Sequence, residues 1–279
     1  MQAQKIKILL TPAALVFAGL FVVPLSYFFV ISFWQIRLYK LVQNFSFSNY
    51  VSVFQEYLHA TLFTFAISLI IAIVTTSLAF AIAYLVRFKS GRFGPLILYI
   101  AMVTMFGGYL VKIYAWKSIL GTNGILNSTM MWLGIIDEPL SWLLYSPIAV
   151  VLTLVHFLLP LALLPLVGSL KSIADDPILV ARDLGASGYR TLVDIILPQC
   201  QPGIVSAFAL SFLISAGDYV TPRLVGGPDT FMVGNFIESQ FVNRLNAPLG
   251  AALAFSTLAI CLIALALFRI LLSRSLAPK

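Results

Sequence analysis

Few residues in this chain have the type and setting to do chemistry. Asp218 is the first, a carboxylate deep in the apolar run 203–225, flanked by Gly217, Tyr219 and Pro222. An ionisable side chain at membrane depth costs about 3 kcal/mol on insertion scales and defaults to a functional reading. A carboxylate beside an aromatic ring suits an ammonium group, through Coulomb attraction and cation–π contact. An internal pair with Arg223 or Lys112 accounts for Asp218 equally well. Glu238 lies in the mixed-polarity stretch 231–242, with Asn235 and Gln240 as further polar contacts. That stretch reads either as a short re-entrant helix beside a solute path or as a solvated loop helix. Lys112 and Tyr114, with Tyr109 and Trp116, cluster near the end of the run 95–119. Pore lining and interface anchoring explain that cluster about as well as each other. His156 has the chemistry of a proton relay, but a lone histidine with no carboxylate near it in sequence is better read as a satisfied packing residue.

Other chemistry has no residues to carry it. No G-x-x-x-x-G-K-[ST] stretch exists to cradle phosphates, and no G-x-S-x-G, H-E-x-x-H or paired-carboxylate spacing occurs. The two cysteines, Cys200 and Cys261, fall at different expected depths, which argues against a disulfide. No cysteine or histidine spacing suggests a metal. A membrane-bound enzyme would need a nucleophile or metal cluster that this sequence lacks, so no catalytic residue, metal or bound cofactor is expected.

The elements that must position these residues follow from composition. Of 279 residues 61% are hydrophobic and only 10% charged, against ~25% charged in an average soluble protein. A soluble fold would have no way to hide so much apolar surface. A spanning helix needs ~20 apolar residues, and six runs qualify: 9–34, 60–86, 95–119, 143–170, 203–225 and 247–272. The expectation is an all-α polytopic membrane protein with about six transmembrane helices in a single domain, 1–279. The first run is too long for a signal peptide and lacks a small-x-small cleavage pattern. With the N-terminus inside, the inner segments hold most of the lysines and arginines, including Lys5, Lys7, Lys279 and the short loop with Arg87, Lys89 and Arg92. The positive-inside rule therefore places both termini in the cytoplasm. The formal charge of +7 is scattered at the ends of apolar runs, with no basic stripe interleaved with aromatics, so nucleic acid is not an expected partner. Pro160 and Pro165 are expected to kink the fourth run.

The longest inner segment, 171–202, carries the densest charge and reads as a helical hairpin. Asp176 before Pro177 looks like an N-cap followed by a first-turn proline. Ile178, Leu179, Ala181 and Leu184 offer an apolar face, and Gly185 a positive-φ exit. Ser187 can cap a second helix carrying Leu192, Ile195 and Ile196, while Pro198 and Pro202 punctuate the return. The stretch Ala181-Arg182-Asp183-Leu184-Gly185-Ala186-Ser187, followed by Ile196-Leu197-Pro198, resembles the EAA motif of permeases in binding-protein-dependent ABC importers. Gly185, Leu197 and Pro198 match the family pattern; Leu179 stands where Glu is usual and Val180 where the first Ala is usual. The resemblance extends over nearly the whole chain and is nearest to permeases of spermidine/putrescine importers. It is carried by Ser48-Asn49-Tyr50, Tyr114-Ala115-Trp116-Lys117, Leu120-Gly121-Thr122-Asn123-Gly124, Trp132-Leu133-Gly134, Gly217-Asp218-Tyr219-Val220-Thr221-Pro222 and Gly226-Gly227-Pro228.

The resemblance implies a MetI-like transmembrane fold in a bacterial inner membrane. It implies an importer of polyamines or related cations, with amino acids, opines and other small organic solutes as alternatives. The implied partners are an ABC ATPase dimer holding ATP and magnesium, a second homologous permease, a periplasmic or surface solute-binding protein, and lipid. It implies that Asp176, Leu179, Val180, Ala181, Arg182, Asp183, Gly185, Ala186 and Ser187 couple the chain to the ATPase. The pathway candidates are Asp218, Tyr219, Glu238, Asn235, Tyr114 and Lys112. A stand-alone secondary transporter or channel is the rival, but no internal repeat is evident. A non-transporting assembly protein is a further one.

Overall fold

The computed structural model describes residues 11–38 and 40–276. Lys5, Lys7 and Lys279, used above for orientation, lie outside the described residues. Helix α1 spans Thr11–Ile31 and contains a π-helical turn at Ala18–Val22. An antiparallel hairpin follows, β1 (Gln35–Arg37) and β2 (Lys40–Val42), with Ile36 opposite Leu41. Next come α2 (Ser48–Glu56), α3 (Leu58–Phe88), α4 (Gly94–Phe106), α5 (Tyr109–Leu120), α6 (Ile125–Trp132) and α7 (Pro147–Lys171). Then α8 (Asp176–Asp183) precedes α9 (Gly188–Gln199), which includes a π-helical turn at Leu192–Ile196, and α10 (Gln201–Ala216). A further π-helical turn at Pro222–Gly226 leads to α11 (Val233–Val242) and α12 (Ala247–Ser275).

Among the described residues four helices, α1, α3, α7 and α12, are long and apolar enough to cross a membrane unaided. Two bent pairs bring the number to six if each pair is one span: α4 with α5, bent by 98°, and α9 with α10, bent by 70°. The expected straight run 95–119 is therefore broken. Gly107 is extended at φ −64°, ψ 116°, which ends α4, and Gly108 leads into α5. The run 203–225 is also shorter than expected as a helix, since α10 stops at Ala216. By contrast α7 continues through both Pro160 and Pro165. It begins with Ser146, whose hydroxyl accepts from the Ala149 amide at 3.3 Å.

The chain forms two compact units, Met1–His59 with Phe236–Ala259, and Ala60–Asn235 with Ile260–Lys279. In the first, α1 exposes Leu15, Phe17, Leu20 and Phe21, and Phe28 meets Phe241 edge-on at 5.8 Å. Gln240 is buried there and donates to the Tyr57 hydroxyl at 2.8 Å. In the second, α3 turns small residues inward, Ser68, Ala72, Thr75, Ala79 and Ala83, and leaves Leu62, Ile70, Ile73, Leu78 and Leu85 exposed. Apart from the buried Ile67 and Ile71, bulky side chains thus point outward and small ones fill the helix contacts, as lipid solvent favours. The core is built on α7, where Leu154, Leu158, Leu163 and Leu166 are fully buried. Cys200 and Cys261 are both buried free thiols.

A close approach of two helices in this core joins α10 to α7 at Gly203. A Cβ there would stand 2.6 Å from Ser169 Cβ and 2.9 Å from the Pro165 carbonyl oxygen. Only a glycine lets the two helices meet at that distance. Gly203→Leu should therefore force α10 off α7 and destabilise the protein by about 2 kcal/mol, the usual scale of overpacking. Thermal unfolding followed by size-exclusion chromatography in mild detergent checks it, with a lowered transition and early aggregation expected.

Candidate functional site

Among the described residues, a group of hydrogen-bonded polar side chains lies where α10 ends. After Ala216 the chain leaves helical geometry at Gly217 and resumes it at Val220. A helix start leaves amide donors without partners, and Asp218 supplies the acceptor. Its Oδ1 takes the Val220 amide at 3.0 Å and the Thr221 amide at 3.5 Å, the pattern of an aspartate N-cap. The Tyr109 hydroxyl, from the first residue of α5, donates to the same oxygen at 2.7 Å and lies 2.6 Å from Thr221 Oγ1. Asp218 is 9% exposed, and its other oxygen, Oδ2, has no hydrogen-bond partner.

The segment returning from the break is held as firmly. Asn235 donates to the Tyr219 carbonyl at 2.7 Å and accepts from the Met232 amide at 3.0 Å. Thr64 on α3 accepts the Val233 amide at 2.8 Å while donating to the Ala60 carbonyl at 2.7 Å. Thr64 and Thr221 were not among the expected site residues, and Tyr109 was expected only as a member of the cluster with Lys112, Tyr114 and Trp116. A hydroxyl in an otherwise apolar run is the signal that could have found the first two.

The expected pathway residues therefore divide. Asp218, Asn235 and the backbone of Tyr219 are brought together, with the Tyr219 side chain 42% exposed. Lys112 is buried on α5, one turn beyond Tyr109, with its Nζ 5.4 Å from the Phe157 ring centroid and no hydrogen-bond partner. An ion pair with Asp218, one of the two internal readings, is thus not formed with Lys112. Tyr114 lies on α5 with its side chain exposed. Glu238 is half-buried on α11 in the other compact unit, and α11 is the short helix expected over 231–242. Trp116 donates from Nε1 to His156 Nδ1 at 3.1 Å. That bond gives His156 a partner, in keeping with the packing reading, and ties Trp116 on α5 to α7.

The hairpin after α7 differs in detail from its expected form. The N-cap of α8 is Asp175, not Asp176, and it makes no side-chain capping bond. Asp175 instead accepts from the Arg87 guanidinium at 2.6 Å, tying the end of α3 to the start of α8. Pro177 sits in the first turn as expected. Gly185 has φ +81°, and the Ser187 hydroxyl accepts from the Arg190 amide at 3.3 Å. The apolar face does not pack as a unit. Ile178 is buried, but Leu179, Val180 and Leu184 are exposed, the last at 83%, as is Tyr189. Asp176, Arg182, Asp183, Gly185 and Ser187 are also exposed, with Ala181 and Ala186 half-buried. One turn of α8 is thus anchored to this chain and the rest presents apolar side chains outward, because an eight-residue helix cannot bury both of its faces on one neighbour.

Comparison with known proteins places this geometry. The sequence matches the family described as "Binding-protein-dependent transport system inner membrane component" over residues 4–276. It is 34% identical over 210 residues to the spermidine/putrescine transport system permease protein PotB of Escherichia coli (strain K12), covering 75% of this chain and 76% of that protein. It is 31% identical over 215 residues to the inner membrane ABC transporter permease protein YdcU of the same organism, covering 72% and 67%. Among solved structures, a chain of a bacterial alginate ABC transporter, crystallised in complex with an alginate pentasaccharide-bound periplasmic protein, superposes with a TM-score of 0.74. That match covers 98% of this chain and 95% of the other at 15% identity, so the likeness is one of fold.

Among the described residues the Tyr109 hydroxyl is the one side-chain donor on Asp218 Oδ1 from another helix. Tyr109→Phe should cost about 2 kcal/mol, as expected for a bond to a charged group. Thermal unfolding in detergent checks it, and the loss should shrink to about 1 kcal/mol, that of the remaining Thr221 contact, in the Asp218→Ala background.

Proposed function

Because the chain belongs to the binding-protein-dependent transport system inner membrane components, and is the permease subunit of an ABC importer rather than an enzyme, we propose that it moves a small organic cation of the polyamine class inward. The observation that carries the cargo reading is Asp218. One of its oxygens caps the broken helix and the other has no partner, and the next residue, Tyr219, is exposed. A desolvated carboxylate with a spare oxygen attracts an ammonium strongly, and an adjacent aromatic face adds cation–π attraction. Several relatives are spermidine/putrescine permeases, which supports the same class. Amino acids and opines, which also carry an ammonium group, are the second reading.

In this proposal a solute-binding protein delivers cargo to the side of the membrane on which Asp218 opens, and a second, homologous permease completes the enclosure. Both termini and the 171–202 hairpin face the cytoplasm, as the distribution of cations favours. ATP and magnesium are held by a separate ATPase dimer, and this chain binds no cofactor of its own. Residues 176–187 dock on that ATPase. The exposure of Leu179, Val180 and Leu184 supports this, since apolar side chains projecting from a charged hairpin need a protein partner. Nucleotide-driven closure of the ATPase then shifts α8, and the bundle switches between two arrangements that differ in affinity for nucleotide and for loaded binding protein.

Two measurements on the complex reconstituted in liposomes test the two halves. Asp218→Asn should lower spermidine uptake at least tenfold while leaving assembly intact; unchanged uptake would remove the electrostatic argument. Gly185→Val forces a β-branched residue into a left-handed exit at φ +81° without touching the membrane region. It should reduce both ATPase copurification and uptake, with insertion unaffected; normal copurification with full transport would refute the docking role.

A further inference from the structure

Two charged atoms in the Tyr109 cluster have no hydrogen-bond partner, Asp218 Oδ2 and Lys112 Nζ. They are opposite in sign, and both residues are more than nine-tenths buried. Lys112 follows Tyr109 by one helical turn on α5, so the two share a face. Its stem runs back toward the start of α5, with Cε 3.8 Å from where a side chain on Gly107 would begin. That is the end of α5 at which Tyr109 holds Asp218. Phe157 joins the two, with the Tyr109 ring at 4.6 Å and the Lys112 ammonium at 5.4 Å from its centroid.

This is a poor resting place for a cation. The Phe157 face offers one cation–π contact, which does not replace the hydration an ammonium loses on burial. The start of a helix carries partial positive charge and repels it further. A carboxylate oxygen in the same cluster stands unpartnered, and Oδ1 is already committed to Tyr109, Val220 and Thr221. Oδ2 is thus the oxygen left for an ammonium. Lysine ends in the same primary alkylammonium as a polyamine.

We propose that Lys112 is a tethered competitor for Asp218: the arrangement with its ammonium over Phe157 and Oδ2 unpartnered is the switched, cargo-accepting one, and in the resting arrangement that ammonium closes onto Oδ2 until a primary ammonium of the cargo displaces it. The inference rests on reading Asp218 as the cargo's ammonium site. Pairing with Lys112 keeps the carboxylate neutralised at rest, so the bundle does not switch until a second ammonium arrives. Removing the tethered ammonium leaves Asp218 uncompensated in the resting arrangement and shifts the population toward the switched one.

The test uses the whole complex with its ATPase and unloaded binding protein in liposomes, with spermidine as the probe. Lys112→Met removes a buried charge and is expected to assemble normally. It should raise cargo-independent ATP hydrolysis at least threefold. Lys112→Arg, which keeps the charge, should stay near the parent. In Lys112→Met/Asp218→Asn the increase should vanish, because a competitor matters only while the carboxylate is charged. An unchanged basal rate in Lys112→Met, or the same rise with Asp218→Asn present, overturns the proposal while leaving the cargo site standing. Spermidine uptake abolished by Lys112→Met but untouched by Asp218→Asn makes Lys112 itself the cargo contact and overturns both readings.

Discussion

In hydrocarbon a backbone amide that leaves its helix finds no water, so a broken helix inside a membrane must satisfy its freed groups from neighbouring side chains. The region after Ala216 is organised by that requirement. Gly217 ends α10, and the amides of Val220 and Thr221 turn to Asp218. The carbonyl of Tyr219 turns to Asn235 and the amide of Val233 to Thr64. Each repair uses a polar residue in an apolar bundle, and each brings a different element to the break: α5 through Tyr109, α3 through Thr64, α11 through Asn235. The same carboxylate that mends the backbone brings a negative charge to membrane depth. A structural need and a spare acceptor therefore fall on one residue, with Oδ1 engaged in bonds and Oδ2 unpartnered.

Much of this was legible in the sequence where the signal is local. Long apolar runs announce spans, Gly185 announces a left-handed exit, and Ser187 announces a cap, because each effect acts within a turn or two of the residue that causes it. Asp218 stood out for the same reason, being a charge in an apolar run beside a glycine and a proline. What could not be read were the partners. Tyr109 and Asp218 are more than a hundred positions apart, as are Thr64 and Val233, and periodicity carries no information about which polar group will meet which across a bundle. The break between α4 and α5 was missed although Gly107-Gly108 marks it. An apolar window averages over a break that leaves hydropathy unchanged, so the bend is visible only to an argument about backbone freedom. Asp175 in place of Asp176 as the α8 cap is a smaller case. The sequence pointed to Asp176, and the distant Arg87, at the end of α3, holds the side chain of Asp175.

Those distant partners give the second unit its mechanical continuity. Thr64 sits near the start of α3 and holds the segment returning from the break; Arg87 sits near its end and holds Asp175 at the head of α8. Roughly 35 Å of uninterrupted helix separates them at 1.5 Å per residue. Helices of this kind move as rods, since bending one breaks hydrogen bonds that have no replacement in lipid. The exposed Arg87–Asp175 pair contributes little to stability, no more than about 1 kcal/mol. Its importance is positional: it fastens the one charged hairpin of the unit to the same rod whose other end touches the polar break. A shift of α8 that preserves this pair must carry α3 with it, and with α3 the Thr64 hydroxyl on which the Val233 amide depends. The break is then the place where such a shift is absorbed, because a segment already out of helical register can rearrange its bonds while α3 and α7, intact along their lengths, cannot.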